Sequence, residues 1–369
     1  MENQLTHPSA FIGPADINTI RNNAAQAEQS GLLTDEQLDI IYREGWFKLL
    51  VPNQYSGKQI TLPDLVRLQE AISYTDGSTG WVVTLCSGAG WFGGFINAEL
   101  SQQLFADRKV CLAGSGAVGG TAEKVDNGYI VNGFWKYASG IHHATHITAN
   151  CAVTQNGKAV LGDDGEQLVL PFILDKKDVT TIPAWKYIGM VATGSDAFEI
   201  KDLKVEPDRA FKIAPAAAVV DAPLYRYPFL QLAEATLAVN LSGIAIHFID
   251  LCAAVFADRM NHPRLTASQK IILIEALALA NKEMEALRIP FFEAVDVSWD
   301  DIGQHNMITN ANLAEVSSTS RKLAITAREI VDRLYPLCGL VAAGSDTEIN
   351  RAWRDLHTAS QHTLLTFPA

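Results

Sequence analysis

The spacing of apolar residues divides the chain into three blocks. From Ile12 to about Arg108, apolar positions recur three and four residues apart between polar and glycine-rich turns, which predicts helices. Thr34-Asp35-Glu36-Gln37 reads as a capping box opening a helix whose inner face carries Leu38, Ile41, Tyr42 and Trp46. A turn at Val51-Pro52-Asn53-Gln54-Tyr55-Ser56-Gly57 follows. Leu62-Pro63 then starts another helix, with Leu65, Leu68 and Ile72 at helical spacing. Near Val110 the period changes to two. Asp126-Asn127-Gly128 between apolar runs is a hairpin signal, and strands are predicted over 129–135, 146–153, 167–174 and 197–205. The block reads as an antiparallel β-domain of six to eight short strands. After Pro215 helices return. Thr266-Ala267-Ser268-Gln269 and Ser345-Asp346-Thr347-Glu348 read as two more capping boxes, the second opening a last helix that runs through His362. Four long helices there predict a four-helix bundle. The expected class is α+β, with an N-terminal α-helical domain over 1–108, a middle β-domain over 109–212 and the bundle over 213–369.

Composition narrows the partners. At 369 residues the chain exceeds the roughly 250–300 that one core serves, in keeping with several units. A net charge of -12 disfavours nucleic acid and anionic membrane surfaces. Cys86, Cys111, Cys151, Cys252 and Cys338 are scattered and form no CxxC, so neither a disulfide framework nor a zinc site is expected. The apolar stretch 230–257 contains Glu234, Asn240, His247 and Asp250, which suit a buried bundle helix better than a membrane span. The first residues lack the basic and apolar regions of a signal peptide, and the cytoplasm is the expected compartment.

Several segments could carry chemistry. Gly133-Phe134-Trp135-Lys136-Tyr137-Ala138-Ser139-Gly140 runs from a strand into a small-residue turn, where a hydroxyl and open backbone could meet a flat heterocycle; taken alone, the octet reads as an ordinary β-turn. His142, His143 and His146 lack the helix and glutamate of HExxH, and no metal is assigned. Gly114-Ser115-Gly116-Ala117-Val118-Gly119-Gly120 is not followed by a helix, so it is read as a flexible loop and not as a dinucleotide fingerprint. His357 and His362, five apart on the predicted last helix, would point about 140° apart and form no common site. Arg354 and Asp355 read as an interhelical ion pair. The tail, with Leu364, Leu365, Phe367 and Pro368, is apolar enough to be docked.

Taken in order, these words resemble the acyl-CoA dehydrogenase superfamily. Val51 to Gly57 resembles its Pro-x-x-Tyr-Gly-Gly turn, and Asp76-Gly77-Ser78-Thr79-Gly80-Trp81 the end of the helix that follows. Gly128 to Gly133 is similar to its hairpin, Gly189-Met190 with Thr193-Gly194-Ser195 to its Gly-Met…Ser segment, Val205-Glu206-Pro207 to its Val-Pro element, and Trp353-Arg354-Asp355 to its Arg-Asp helix. The departures point to one branch. The family's catalytic glutamate would fall at Thr363, which cannot act as a base, and His362 stands beside it. The Tyr137-Ala138-Ser139-Gly140 turn and the Arg354-Asp355…His362 arrangement resemble the oxygenase components of two-component flavin monooxygenases.

That resemblance implies a reduced flavin, FMN or FAD, supplied by a separate reductase and reacted with oxygen to a C4a-hydroperoxide that oxidises a small aromatic or heteroatom-bearing substrate. It implies Ser139 near flavin N5 and His362 near C4a, with His357 a weaker candidate. Tyr137, Ser139, Gly140 and Trp81 would line the flavin, with Trp91, Phe92 and Trp135 as further apolar walls. Arg259 is what remains of the family's Arg-x-x-Phe-Gly, which helps bind FAD pyrophosphate across a subunit interface. A homotetramer or homodimer is implied. The alternatives are an acyl-CoA dehydrogenase whose base has moved to a bundle carboxylate such as Glu234, and a non-catalytic binding or assembly protein of the same fold.

Overall fold

The structure, a computed structural model, describes residues 5–367; Pro368 of the apolar tail lies outside them. Five helices come first: α1 (Pro14–Ser30), α2 (Asp35–Arg43), α3 (Leu62–Thr75), α4 (Gly77–Gly90) and α5 (Ala98–Leu104). Thr34 and Gln37 form the predicted reciprocal cap of α2, with the Thr34 N–H on Gln37 Oε1 at 2.9 Å. Asp76-Gly77 does not end a helix but begins one. Asp76 caps α4 by accepting the Thr79 N–H at 2.8 Å, and Gly80 lets α4 cross α3, since a Cβ there would sit 2.2 Å from Ser73 Oγ.

The middle block holds β1 (Leu112–Val125), β2 (Gly128–Trp135), β3 (His146–Gln155), β4 (Lys158–Ala159), β5 (Val169–Asp175), β6 (Thr180–Ile182) and β7 (Ala197–Val205). They form one sheet in the order β4-β3-β1-β2-β7-β6, with β5 also on β3. Two expectations are corrected here. The sheet is mixed and not purely antiparallel, because β1 and β3 run parallel, with Leu112 opposite His146. The glycine-rich 114–120 segment is the first half of β1, not a loop. Its glycines answer a packing need: a Cβ at Gly119 or Gly120 would lie 2.5 or 2.3 Å from β2 backbone oxygens, and both would press on the Trp135 indole. Register shifts between Ser115 and Gly120 account for the irregular pattern.

The last block contains α6 (Pro223–Arg226), α7 (Phe229–Met260), α8 (Ala267–His305), α9 (Asn310–Cys338), α10 (Leu340–Ala343), α11 (Glu348–Ala359) and α12 (Thr363–Thr366). Three of these helices are long where four were expected. The fourth side of α7 is taken by α3 and the short α11, and α3 comes so close that a Cβ at Gly243 would meet Glu70 O at 2.2 Å. By length and composition α7 could cross a membrane, yet 72% of its most apolar window is buried inside the protein. The C-terminal tail is docked through Leu365, 1% exposed, whereas Phe367 is 70% exposed.

The cap of α11 is Thr347, which accepts the Asn350 N–H at 3.3 Å, in place of the predicted Ser345 box. The helix ends at Ala359. His362 is therefore not on the same helix as His357 but caps α12, its Nδ1 taking the Leu364 N–H at 3.4 Å. The 140° argument fails because Ser360 to His362 break the helical path.

Candidate active site

The turn between β2 and β3 sets Ser139. Tyr137 takes a left-handed backbone (φ 67°), rare for a bulky side chain, and Gly140 follows at φ 74°, where a Cβ would stand 2.7 Å from Cys86 Sγ. The turn is held in place through Asp196. Its carbonyl accepts the Ala138 N–H at 3.0 Å, and its carboxylate accepts the Ala184 and Trp185 N–H groups at 2.7 and 2.8 Å and contacts His142 Nε2 at 2.8 Å. Burial works to raise the Asp196 carboxyl, but these contacts outweigh it and hold it below its ordinary value.

Ser139 is 6% exposed, and its hydroxyl belongs to a chain of bonds. Trp81 Nε1–H donates to Ser139 Oγ at 3.1 Å. Ser139 Oγ lies 2.7 Å from Ser195 Oγ, which lies 2.7 Å from Thr193 Oγ1, and Thr193 donates to the Met190 carbonyl at 2.7 Å. Met190 and Gly194, with φ 54° and 51°, bracket the short turn that carries Thr193. The Trp81 ring also meets His362 edge to face, 6.1 Å between centroids. Ser139 and His362 thus both contact one indole. Burial lowers the affinity of His362 for a proton, so the ring is neutral at pH 7. With Nδ1 accepting the Leu364 N–H, its proton is assigned to Nε2.

Two words of the sequence, 165 residues apart between Met190 and Asp355, meet at this site. Arg354 NH1 donates to the Ile188 carbonyl at 2.7 Å and pairs with Glu28, while Asp355 Oδ1 accepts the Met190 N–H at 2.5 Å. Gly189 between them has no room for a Cβ, which would lie 2.1 Å from Arg354 O. Arg354 and Asp355 therefore clamp the Gly189-Met190 turn, and Arg354 also forms an interhelical ion pair, with Glu28 of α1. Burial, with the charge of Asp76, pushes the Asp355 carboxyl up to about 8.

Other candidates lie elsewhere. His357 faces Asp332 at 2.8 Å and packs at a tilt against Trp353. Arg259 donates to the Leu337 carbonyl at the end of α9, which commits it to closing that helix end. Trp91 and Trp135, 2% and 1% exposed, are core side chains bonded to Leu224 O and Asn150 O and not flavin walls. Phe92 packs against Phe211 and Phe229. The open aromatic wall is Tyr137 with Trp185 and Tyr187. The last two were not singled out from the sequence; Trp185-Lys186-Tyr187 carries no spacing signal, and only its adjacency to the Gly-Met word points to it. Glu234 is fully buried and bound by Arg321 at 2.6 Å and Ser317 at 2.5 Å, so it faces α9 as half of an ion pair. Glu70 is likewise held by Arg288. His142, His143 and His146 fall where expected, two in the turn and one at the start of β3. Burial next to His142 takes His143 down to about 4.

Residues 235–367 match the acyl-CoA dehydrogenase C-terminal domain family. Over the whole length, the chain is 23% identical to the flavin-dependent monooxygenase oxygenase subunit HsaA of Rhodococcus jostii strain RHA1, covering 94% of this chain and 91% of that one. It is 24% identical to an indole-3-acetate monooxygenase of Pseudomonas putida, covering 98% and 91%.

The C-terminal helical block is thus similar to the acyl-CoA dehydrogenase C-terminal domain, and the chain as a whole to flavin-dependent monooxygenases.

The same fold is seen in XiaF from Streptomyces sp., solved with FADH2 and glycerol, at a TM-score of 0.85, 21% identity and coverage of 95% and 89%. Thr363 is exposed, beside a His362 that packs against Trp81.

Proposed function

We propose that this protein is the oxygenase component of a two-component flavin-dependent monooxygenase, using reduced flavin and O2 to hydroxylate a small aromatic substrate. The observation that carries the reading is that Ser139 and His362 both contact Trp81 while the buried carboxylates Glu234 and Glu70 are each tied to an arginine. A dehydrogenase needs a free carboxylate to remove an α-proton. Neither of these two is free.

The residues fit a flavin. A half-exposed aromatic wall, Tyr137 at 57% and Tyr187 at 47% with Trp185 between, rises from the turn that holds Ser139, and flat heterocycles bind against such faces. Tyr137, Ser139, Gly140 and Trp81 would hold the ring. When bound, the flavin supplies the chemistry of oxygen activation. This chain supplies orientation from the Ser139 turn, water exclusion from the aromatic wall, and a neutral imidazole whose Nε2–H can donate to a polar group and take the proton back. The FADH2 bound by XiaF makes FAD the first flavin to test and FMN the second. A separate reductase would supply it, as the word "subunit" in the HsaA name suggests for that relative.

We further propose self-association, as the family resemblance implies. The first turns of α8 are apolar on both faces: Leu273 and Ala280 are buried in this protomer, while Ile271, Ile272, Ile274 and Leu279 are each at least 50% exposed. A helix apolar all round is normally buried all round, and a second copy of the chain is the cover we propose. The cytoplasm is the compartment proposed.

The test of function is turnover of indole- and phenol-type acids under 18O2 with reduced FAD or FMN from a generic reductase. One labelled oxygen in the product supports the reading. Bleaching of bound oxidised flavin by an acyl-CoA would overturn it.

A further inference from the structure

The hydroxyl chain behind Ser139 has only one possible polarity. Its two ends are fixed: an indole N–H can only donate, and the Met190 carbonyl can only accept. Between them lie three links, Ser139 to Ser195, Ser195 to Thr193 and Thr193 to Met190, each 2.7 Å, and three hydroxyl hydrogens to fill them. Every hydrogen must therefore point away from the Ser139 end. Reversing any one leaves two buried oxygens at 2.7 Å with no hydrogen between them. Ser195 and Thr193 are 3% and 1% exposed, so water cannot repair such a defect.

The backbone of the turn offers no substitute donor. The N–H groups of Ala138, Ser139, Gly140 and Ile141 are all taken, by Asp196 O at 3.0 Å, Tyr137 O at 3.1 Å, Thr193 O at 2.9 Å and Ala138 O at 3.1 Å. What Ser139 can present to a ligand is a lone pair and nothing else.

We propose that Thr193 and Ser195 are positioning residues that make the Ser139 site selective for the reduced flavin. The proposal rests on the flavin reading above. Reduced flavin carries a hydrogen on N5, which the Ser139 lone pair can accept. Oxidised flavin carries a bare acceptor at N5, and two acceptors would then face each other. Selectivity would thus be written into the direction of a buried hydrogen-bond chain, ending at the Met190 carbonyl, which also accepts the Trp185 Nε1–H at 2.8 Å, while Asp355 accepts the N–H of the same residue.

The test is anaerobic binding of FAD and FMN, each oxidised and dithionite-reduced, to wild type, Thr193→Val and Ser195→Ala, with the two-electron potential of the bound flavin as second readout. Either substitution frees the Ser139 hydrogen to turn outward, Thr193→Val by letting Ser195 donate back to Ser139. The expected result is wild-type preference for reduced flavin and a fall of about tenfold or more in that preference in both variants, the scale of one buried unsatisfied contact. The bound potential should fall by about 30 mV for each tenfold. Two variants guard against a folding failure in one, and circular dichroism identifies such a case. Flavin binding with an unchanged ratio and potential in a folded variant would overturn the proposal. No binding of either flavin in either state by wild type would instead sink the flavin reading, and the proposal with it.

Discussion

His362 and His357 are the same residue type five positions apart, and their surroundings give them different prospects. His362 is kept neutral by burial against Trp81, while His357 is spent on Asp332. His362→Ala should lower product formed per flavin oxidised by about 100-fold, the lower end of what a positioned acid–base group contributes. His357→Ala should leave it within about twofold. The pH profile carries the same information. Because the His362 proton affinity is depressed, the acid limb that depends on it should lie below the ordinary imidazole range near 6.5 and vanish in His362→Ala. A limb that persists unchanged in that variant would assign the titration to another group. Ser139 and His362 could be singled out because each matches a position in the family the sequence resembles. Thr193 and Ser195 were visible as letters of a word but not as a chain, since Ser195 bonds Ser139 across 56 residues of sequence, Thr193 reaches it through Ser195, and no spacing encodes that.

The elements meet through a few buried charges and close backbone crossings. Arg354 and Asp355 on α11 grip both sides of Gly189, so Gly189→Ala should cost about 1–3 kcal/mol by overpacking and lower Tm. Arg321→Ala should cost about 3–5 kcal/mol because it strands Glu234 with no cation in the bundle core. Asp355 makes a pH prediction. Its carboxyl is raised to about 8 from an ordinary 3.8, so between those values the folded chain holds a proton that the unfolded chain gives up. The contribution is fully present below pH 3.8 and is lost as pH rises through about 8. Asp355→Asn keeps an oxygen for Met190 and should flatten the fall of Tm across that window relative to wild type. Equal slopes would show that Asp355 is charged in the folded protein. Periodicity located most helices and strands, because it reads the buried face directly. It missed the parallel pairing of β1 with β3, since pairing partners leave no mark on one strand. It also ran the last helix through to His362, since the break at Ser360 has neither glycine nor proline to announce it.

For the whole molecule, three blocks far apart in sequence build one site: α4 brings Trp81, the β2–β3 turn brings Ser139, the segment before β7 brings Thr193 and Ser195, and the C-terminal tail brings His362. A docked tail is thus part of the site. Self-association is checked by light scattering: a mass of two or four chains is expected, with Ile271→Glu plus Ile274→Glu reducing it, and a wild-type monomer at micromolar concentration would contradict the covered α8 face. The most direct test of the central claim is stopped-flow mixing of anaerobic protein and reduced flavin with oxygenated buffer. The account predicts a transient absorbing phase before the oxidised flavin spectrum returns, nearly absent in Ser139→Ala and in His362→Ala. Reoxidation in one phase at the rate of free flavin, in wild type as in the variants, would contradict it.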